Sequence, residues 1–259
     1  MRPSFLQLRE PYLAAIIIES TPDQTIHSIL TCEHEGTEAF VVDFAGWERD
    51  KLTLGELRKV FRCTGRPMMP LFYRSRNLAA DRIDDEARAE LMLLAVEAGA
   101  AACDVMGDMF DPSPRERTLK KEAIGKQKRL IERIHAMGAE VLMSSHVQNE
   151  APPAEAVLEH LRDFVDRGAD IPKIVLRADS KEELLESFRT TVLLKRELKA
   201  PFVHLCSGKY GRLQRYVAPS LGAALTFGVR NPGQGPQPFV SAARFVLNEL
   251  NWHQPYPEE

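Results

Sequence analysis

The chain has 259 residues, 44% hydrophobic and 27% charged, with a net charge of −3. This ordinary globular composition suits one α/β barrel or two small domains and gives no global pull toward nucleic acid or an anionic membrane. Cys32, Cys63, Cys103 and Cys206 are scattered along the chain, so neither a disulfide framework nor a zinc site is expected, and a reducing, cytoplasmic setting is.

The apolar run near the start is too short to span a bilayer and carries no signal-peptide cleavage pattern, so it reads as a first buried strand, LAAIIIE (13–19). Thr21 followed by Pro22 opens a helix over 21–35, which Gly36 ends. AFVVDF (39–44) is the second predicted strand, followed by a helix over 52–63 that carries Leu52, Leu54, Leu57 and Val60. PMMPLFY (67–73) is the third; the helix after it, 84–98, opens on Asp84, Asp85 and Glu86, favourable against the helix dipole. AACDVMGD (101–108) is the fourth, and a long charged helix is predicted over 115–137, ending at Gly138. EVLMSSH (140–146) is the fifth, with a helix over 153–167 that Gly168 ends. IPKIVLRA (171–178) is the sixth; Ser180, with Glu183 three residues on, forms a capping box for 181–198. PFVHLCS (201–207) with 211–221, and ALTFG (224–228) with 237–250, complete the set, and the polar tail after 250 is expected to be loosely held.

Most of these eight runs are nearly continuous in apolar residues, as parallel strands buried on both faces require. Their strict alternation with helices predicts a closed (β/α)8 TIM barrel of the α/β class, in a single domain spanning 1–259. An open doubly wound sheet is the rival, weakened because no GxGxxG follows the first strand.

In such a barrel the chemistry sits at the C-terminal ends of the strands. Strand 6 carries Lys173 among Ile171, Pro172, Ile174 and Val175. A charge there is costly; burial disfavours the ammonium, and the neutral amine can attack a carbonyl. The bland alternative is a strand-end lysine reaching to solvent. His146 ends the neighbouring strand, and an imidazole beside an imine suits proton transfer, although a hydrogen-bonded structural histidine reads equally well. Arg74 and Arg76 follow strand 3, and Asp108 follows strand 4. SGKYG (207–211) lacks the upstream glycine of a phosphate loop but can present backbone N–H groups to an anion. Arg215 could add a carboxylate clamp; the simpler reading is a solvated helix face. NPGQGPQP (231–238) could act as a lid, or be an ordinary turn. The basic run Arg115–Arg129 reads as a solvated helix face, and His27, His34, His135 and His160 as surface or packing residues. No Ser-His-Asp set or metal-ligand cluster stands out.

GADIPKIVLRADSKEELL (168–185) resembles the imine-lysine strand and following helix of the type I 3-dehydroquinases. EVLMSSHVQNEAPPAEAVLEHL (140–161) is similar to their histidine segment, with Ala151-Pro152 in place of a Thr-Pro helix start. GKYGRLQRYVAPSLGAALTFG (208–228) resembles their substrate-binding arginine segment and Thr-Phe-Gly strand, and NPGQ (231–234) their closing lid. The resemblance implies a metal-free, cofactor-free lyase of the shikimate pathway that forms an imine and removes water from 3-dehydroquinate. It makes Lys173 the imine residue, His146 the general acid/base, and Arg215 the carboxylate ligand. Gln234 would close over the ligand, Phe227 would line the pocket, and Arg74 and Asp43 fall at substrate-binding positions.

The departures concern the shell around that core. Asp43 replaces a glutamate and Ala45 an arginine after strand 2; Leu78 stands where the family has the glutamate that partners the histidine. Asp104-Val105-Met106 replaces Asp-x-Glu on strand 4, and Leu205 and Ser207 replace pocket methionines. Arg230 stands near a lost lid serine. A missing partner would alter the orientation and basicity of His146. Three functions therefore stay open: a dehydratase of 3-dehydroquinate or a related cyclic hydroxyketo acid, an imine-forming lyase or aldolase on another carbonyl compound, and a non-catalytic binding homologue. A homodimer is among the assemblies the sequence admits.

Overall fold

The computed structural model describes residues 2–74, 83–147, 149–231 and 235–250. Among these residues eight strands alternate with eight helices. The strands are β1 (Tyr12–Ile18), β2 (Ala39–Asp43), β3 (Met68–Leu71), β4 (Ala102–Met106), β5 (Glu140–His146), β6 (Ile171–Arg177), β7 (Val203–Ser207) and β8 (Leu225–Val229). The helices are α1 (Pro22–His34), α2 (Leu54–Phe61), α3 (Asp85–Ala98), α4 (Lys121–Ala136), α5 (Ala154–Arg167), α6 (Lys181–Glu197), α7 (Gly211–Val217) and α8 (Val240–Leu250). The capping box at Ser180 and Glu183 is present, and the Thr21 side chain accepts from the Gln24 N–H. No helix of the described residues is long and apolar enough to cross a membrane.

The strands pair in parallel as two arcs, β3-β2-β1-β8 and β4-β5-β6-β7. At one seam Ala101 N–H donates to Met68 O (2.7 Å), and at the other Ala224 N–H donates to Phe202 O (2.9 Å). The result is an α/β barrel with helices outside, as the alternation of apolar runs predicts.

Strand alternation decides which residues face the barrel axis. Tyr12, Val41, Leu142, Ile171, Val175 and Phe227 belong to the interior cluster. The intervening Leu13, Val42, Val141, Ile174 and Leu176 pack outward into the larger cluster beneath the helices. By the same two-residue period Lys173 falls on the inner face of β6, Ser144 and His146 on that of β5, and Asp104 on that of β4. At the opposite end Phe5 joins the interior cluster, and its N–H donates to Glu140 Oε2 (2.9 Å), which closes the bottom of the barrel.

One predicted helix is wrong at its start. Helix α4 begins at Lys121, and residues 107–120 form a loop in which Pro114–Glu116 make a short 3-10 turn. Arg115 and Glu116 both have positive φ, 60° and 46°. Charge patterning alone extends the helix through this segment, whereas tertiary partners hold it open. Arg167, buried on α5, donates to Gly107 O, to Thr118 O and to Gln127 Oε1. Asp111 accepts from the Thr118 hydroxyl and from Lys120. Arg117, expected on a solvated face, instead bonds Asp163 (2.8 Å).

Gly107 lets this loop lie close. A Cβ there would stand 2.3 Å from Phe164 Cζ and 2.5 Å from the Glu116 carbonyl oxygen. Gly107→Ala is therefore expected to cost about 1–3 kcal/mol through overpacking. Urea denaturation checks it: the midpoint should fall with the slope unchanged, and an unmoved midpoint would contradict the close approach.

Candidate active site

Lys173 is 7% exposed, on the inner face of β6 and paired in register with Ser144 of β5. Its Nζ lies 3.4 Å from Asp104 Oδ2, and Asp104 is itself 3% exposed. The Ser144 hydroxyl donates to the other oxygen of Asp104. Two rings flank the amine, Phe227 at 5.9 Å and Tyr73 at 6.0 Å from Nζ to centroid, within cation–π reach. The position is thus buried, with the Asp104 carboxylate and two aromatic faces beside the amine. The snorkelling alternative does not describe it.

His146 lies two residues beyond Ser144 on the same face of β5, at the mouth. Its Nδ1 is 3.0 Å from Glu116 Oε2 and 2.7 Å from the Tyr73 hydroxyl, and its backbone N–H donates to the same Glu116 oxygen (2.8 Å). Tyr73 also donates to Glu116 and packs edge-on against the imidazole, with centroids 4.8 Å apart. Burial and the Lys173 charge hold the imidazole below its ordinary pKa, against the opposing pull of Glu116. Burial works against the Glu116 charge, yet the hydrogen bonds from His146 and Tyr73 outweigh it and hold the carboxyl below its usual range. Burial, reinforced by Glu116 and Asp104, pushes the Tyr73 phenol well up.

The expectation that His146 lacks a carboxylate partner is therefore corrected. The partner is Glu116, from the loop after β4, and Leu78 lies outside the described residues.

The other expected residues are placed as follows. Arg215 is 4% exposed on α7; its Nε donates to Cys206 O (2.9 Å), and its carbonyl accepts from the Thr226 hydroxyl (3.1 Å). The solvated-face reading of Arg215 is overturned, because the last turn of α7 is docked on β7 and β8. Phe227 lines the pocket beside Lys173. Asp43 ends β2, where its Oδ1 accepts from Ala45 N–H (2.9 Å) and caps the turn Phe44–Gly46. Arg74 is engaged by carboxylates: Nη1 donates to both oxygens of Asp108 at 3.0 Å, and Nη2 donates to Asp85 (2.8 Å). Burial raises the Asp108 carboxyl despite that pairing. Gln234 and Arg76 lie outside the described residues, as do residues 232 and 233 of the lid turn.

Two residues at this site, Tyr73 and Glu116, escape a reading of the sequence that weighs each strand end by itself, whereas Ser144 stands at the end of the fifth predicted strand and Asp104 falls at an aspartate position of the family resemblance. Asp104 carries a usable signal, an acid at an inner position of an apolar strand, the same anomaly that exposes Lys173. Glu116 carries none, since its thirty-residue separation from His146 is closed only by the loop fold.

The sequence model of the Type I 3-dehydroquinase family matches residues 40–252. The 3-dehydroquinate dehydratase of Klebsiella pneumoniae subsp. pneumoniae is 27% identical over 201 residues, 76% of this chain and 74% of that protein. A 3-dehydroquinate dehydratase from another Klebsiella pneumoniae strain is 31% identical over 124 residues, 47% of this chain and 49% of that protein. Among solved structures, the 3-dehydroquinate dehydratase of Geobacillus kaustophilus superposes with a TM-score of 0.78 at 17% identity, covering 93% of this chain and 91% of that one.

Proposed function

Because this chain belongs to the type I 3-dehydroquinase family, we propose that it is a hydro-lyase that converts 3-dehydroquinate to 3-dehydroshikimate and water through an imine on Lys173. The observation that carries this reading is the Lys173 amine, enclosed beside Asp104 with His146 on the adjoining strand. A solvent-facing lysine would give no such enclosure.

The chemistry follows from those groups. Asp104 accepts the ammonium proton, and the Nζ lone pair attacks the substrate ketone. The ketone oxygen takes one proton from the attacking nitrogen and one back from Asp104 and leaves as water, and a protonated C=N bond remains. That bond draws electrons from the adjacent carbon. His146 Nε2 removes a proton there, and the C–H electron pair moves into an enamine. The enamine then expels the hydroxyl one carbon further on, and the protonated imidazole supplies the proton that makes it water. A second water hydrolyses the imine, releasing the conjugated enone and Lys173. The net change is the loss of one water.

Arg215 would bind the substrate carboxylate, its guanidinium oriented by the Nε contact to Cys206 O. Phe227 would close the pocket on the side of β8, and Asp43 would face substrate from β2. The closing role of Gln234 rests on the family resemblance. Arg74, fully engaged by Asp108 and Asp85, would hold the β3 and β4 loops in place for substrate. The free state of all four cysteines supports a reducing, cytoplasmic setting.

Ultraviolet absorbance tests the substrate. Incubation with 3-dehydroquinate should generate the conjugated enone at an enzyme-dependent rate. No enone from 3-dehydroquinate, with turnover of a different carbonyl compound, would assign the chain to another imine-forming reaction.

A further inference from the structure

We propose that Glu116 is the positioning residue of His146: with Tyr73 it fixes the proton on Nδ1 and leaves Nε2 bare to act as the base, so that this chain carries the histidine's carboxylate partner on the loop after β4. The kinetic part of this inference rests on the proposed dehydration; the structural part does not.

Proton accounting requires the assignment. A carboxylate only accepts, and Glu116 Oε2 faces three groups: the His146 backbone N–H, His146 Nδ1 and the Tyr73 hydroxyl. Each must therefore donate, so Nδ1 bears hydrogen. Tyr73 has one proton and gives it to Glu116, so its oxygen can only accept from Nδ1 across their 2.7 Å contact. Both contacts demand the same tautomer. In a neutral imidazole Nε2 is then the lone-pair nitrogen. The direction in which Glu116 is held, below the usual carboxyl range, agrees.

The loop is also built around this contact. Arg115 and Glu116 occupy left-handed backbone without being glycine, a conformation that persists only where the surroundings enforce it. Those surroundings are present: buried Arg167 binds the carbonyls of Gly107 and Thr118, and Gln127 donates to Gly107 O and Met109 O. Only a glycine at 107 lets the Glu116 backbone pass so close. Strain held by a buried arginine beneath a single carboxylate is expected of a functional constraint.

Nitrogen-15 NMR of histidine-labelled, unliganded protein near neutral pH tests it. Wild type should show His146 protonated at Nδ1 and bare at Nε2. In Glu116→Ala the Tyr73 hydroxyl becomes free to donate to Nδ1, so the proton should move to Nε2. Glu116→Ala/Tyr73→Phe should lose that preference, and Glu116→Asp should partly restore the wild-type form. With 3-dehydroquinate, Glu116→Ala should lower kcat by roughly 10²-fold with little change in KM, while borohydride still traps substrate on Lys173. The groups facing His146 are Glu116, Tyr73, Lys173 and Asp104. Removing the first takes away an attraction for the imidazolium, so the acid limb of kcat/KM should move to lower pH. A wild-type spectrum with the proton on Nε2, or a Glu116→Ala protein with unchanged tautomer and kcat, would overturn the assignment. The tautomer is read without substrate, so it decides the role of Glu116 whether or not 3-dehydroquinate is turned over.

Discussion

Lys173→Ala is expected to lower turnover by at least about 10⁴-fold, because it removes the amine on which the proposed imine forms. Among the described inner-face residues beside it, Asp104, Ser144 and Tyr73 offer oxygen where a nitrogen lone pair is needed. Lys173→Arg should not restore activity, since a guanidinium stays protonated and does not attack carbonyls. A cost in stability should accompany the loss. Asp104 is almost wholly buried and would keep the Ser144 hydroxyl but lose its cation. An uncompensated buried charge of this kind costs roughly 3 kcal/mol. Adding Asp104→Asn should recover most of that stability and none of the activity. Equilibrium denaturation and steady-state rates separate the two effects. Substantial turnover by Lys173→Ala would rule out imine chemistry at this position.

His146→Ala should lower kcat by about 10²–10⁴-fold while leaving imine formation intact, because in the proposed mechanism the imidazole moves protons after the amine has attacked. Substrate should still be trapped on Lys173 by borohydride. Unchanged turnover would dismiss the imidazole as the base. The sign of the pH dependence follows from the surroundings of the ring. Burial and the Lys173 charge hold the imidazole below its ordinary value of about 6.5, so the basic form is already present at neutral pH. The acid limb of kcat/KM in the wild type should therefore fall below about pH 6.5. A limb above that value would mean that the ring is stabilised as a cation and serves another purpose.

The barrel is legible in the sequence because parallel strands buried on both faces leave apolar runs too short for buried helices, set between longer amphipathic stretches. The ends of those runs differ from the strands by a residue or two. Lys173 is legible as an anomaly because a charge inside such a run is costly, although its position alone fits a strand-end lysine reaching to solvent at least as well; the register of β5 and β6 then makes His146 its neighbour. Arg215 is misjudged as a solvated position because the pattern of a short helix does not say that its last turn is docked on two strands. Glu116 is illegible for a deeper reason. Residues 115–137 pattern as one charged helix, and what breaks it is a network from α5 and α4, through Arg167 and Gln127, which no local pattern encodes. The resemblance that identifies the family also directs attention to Leu78, where the partner of the histidine is absent, and away from the loop that supplies it.

Borohydride reduction in the presence of 3-dehydroquinate, followed by peptide mass mapping, tests the imine most directly. The substrate-derived mass is expected on the peptide that contains Lys173 and on no other. A modified peptide elsewhere, or a protein that turns over substrate while no lysine is ever labelled, would contradict the central place given to that amine.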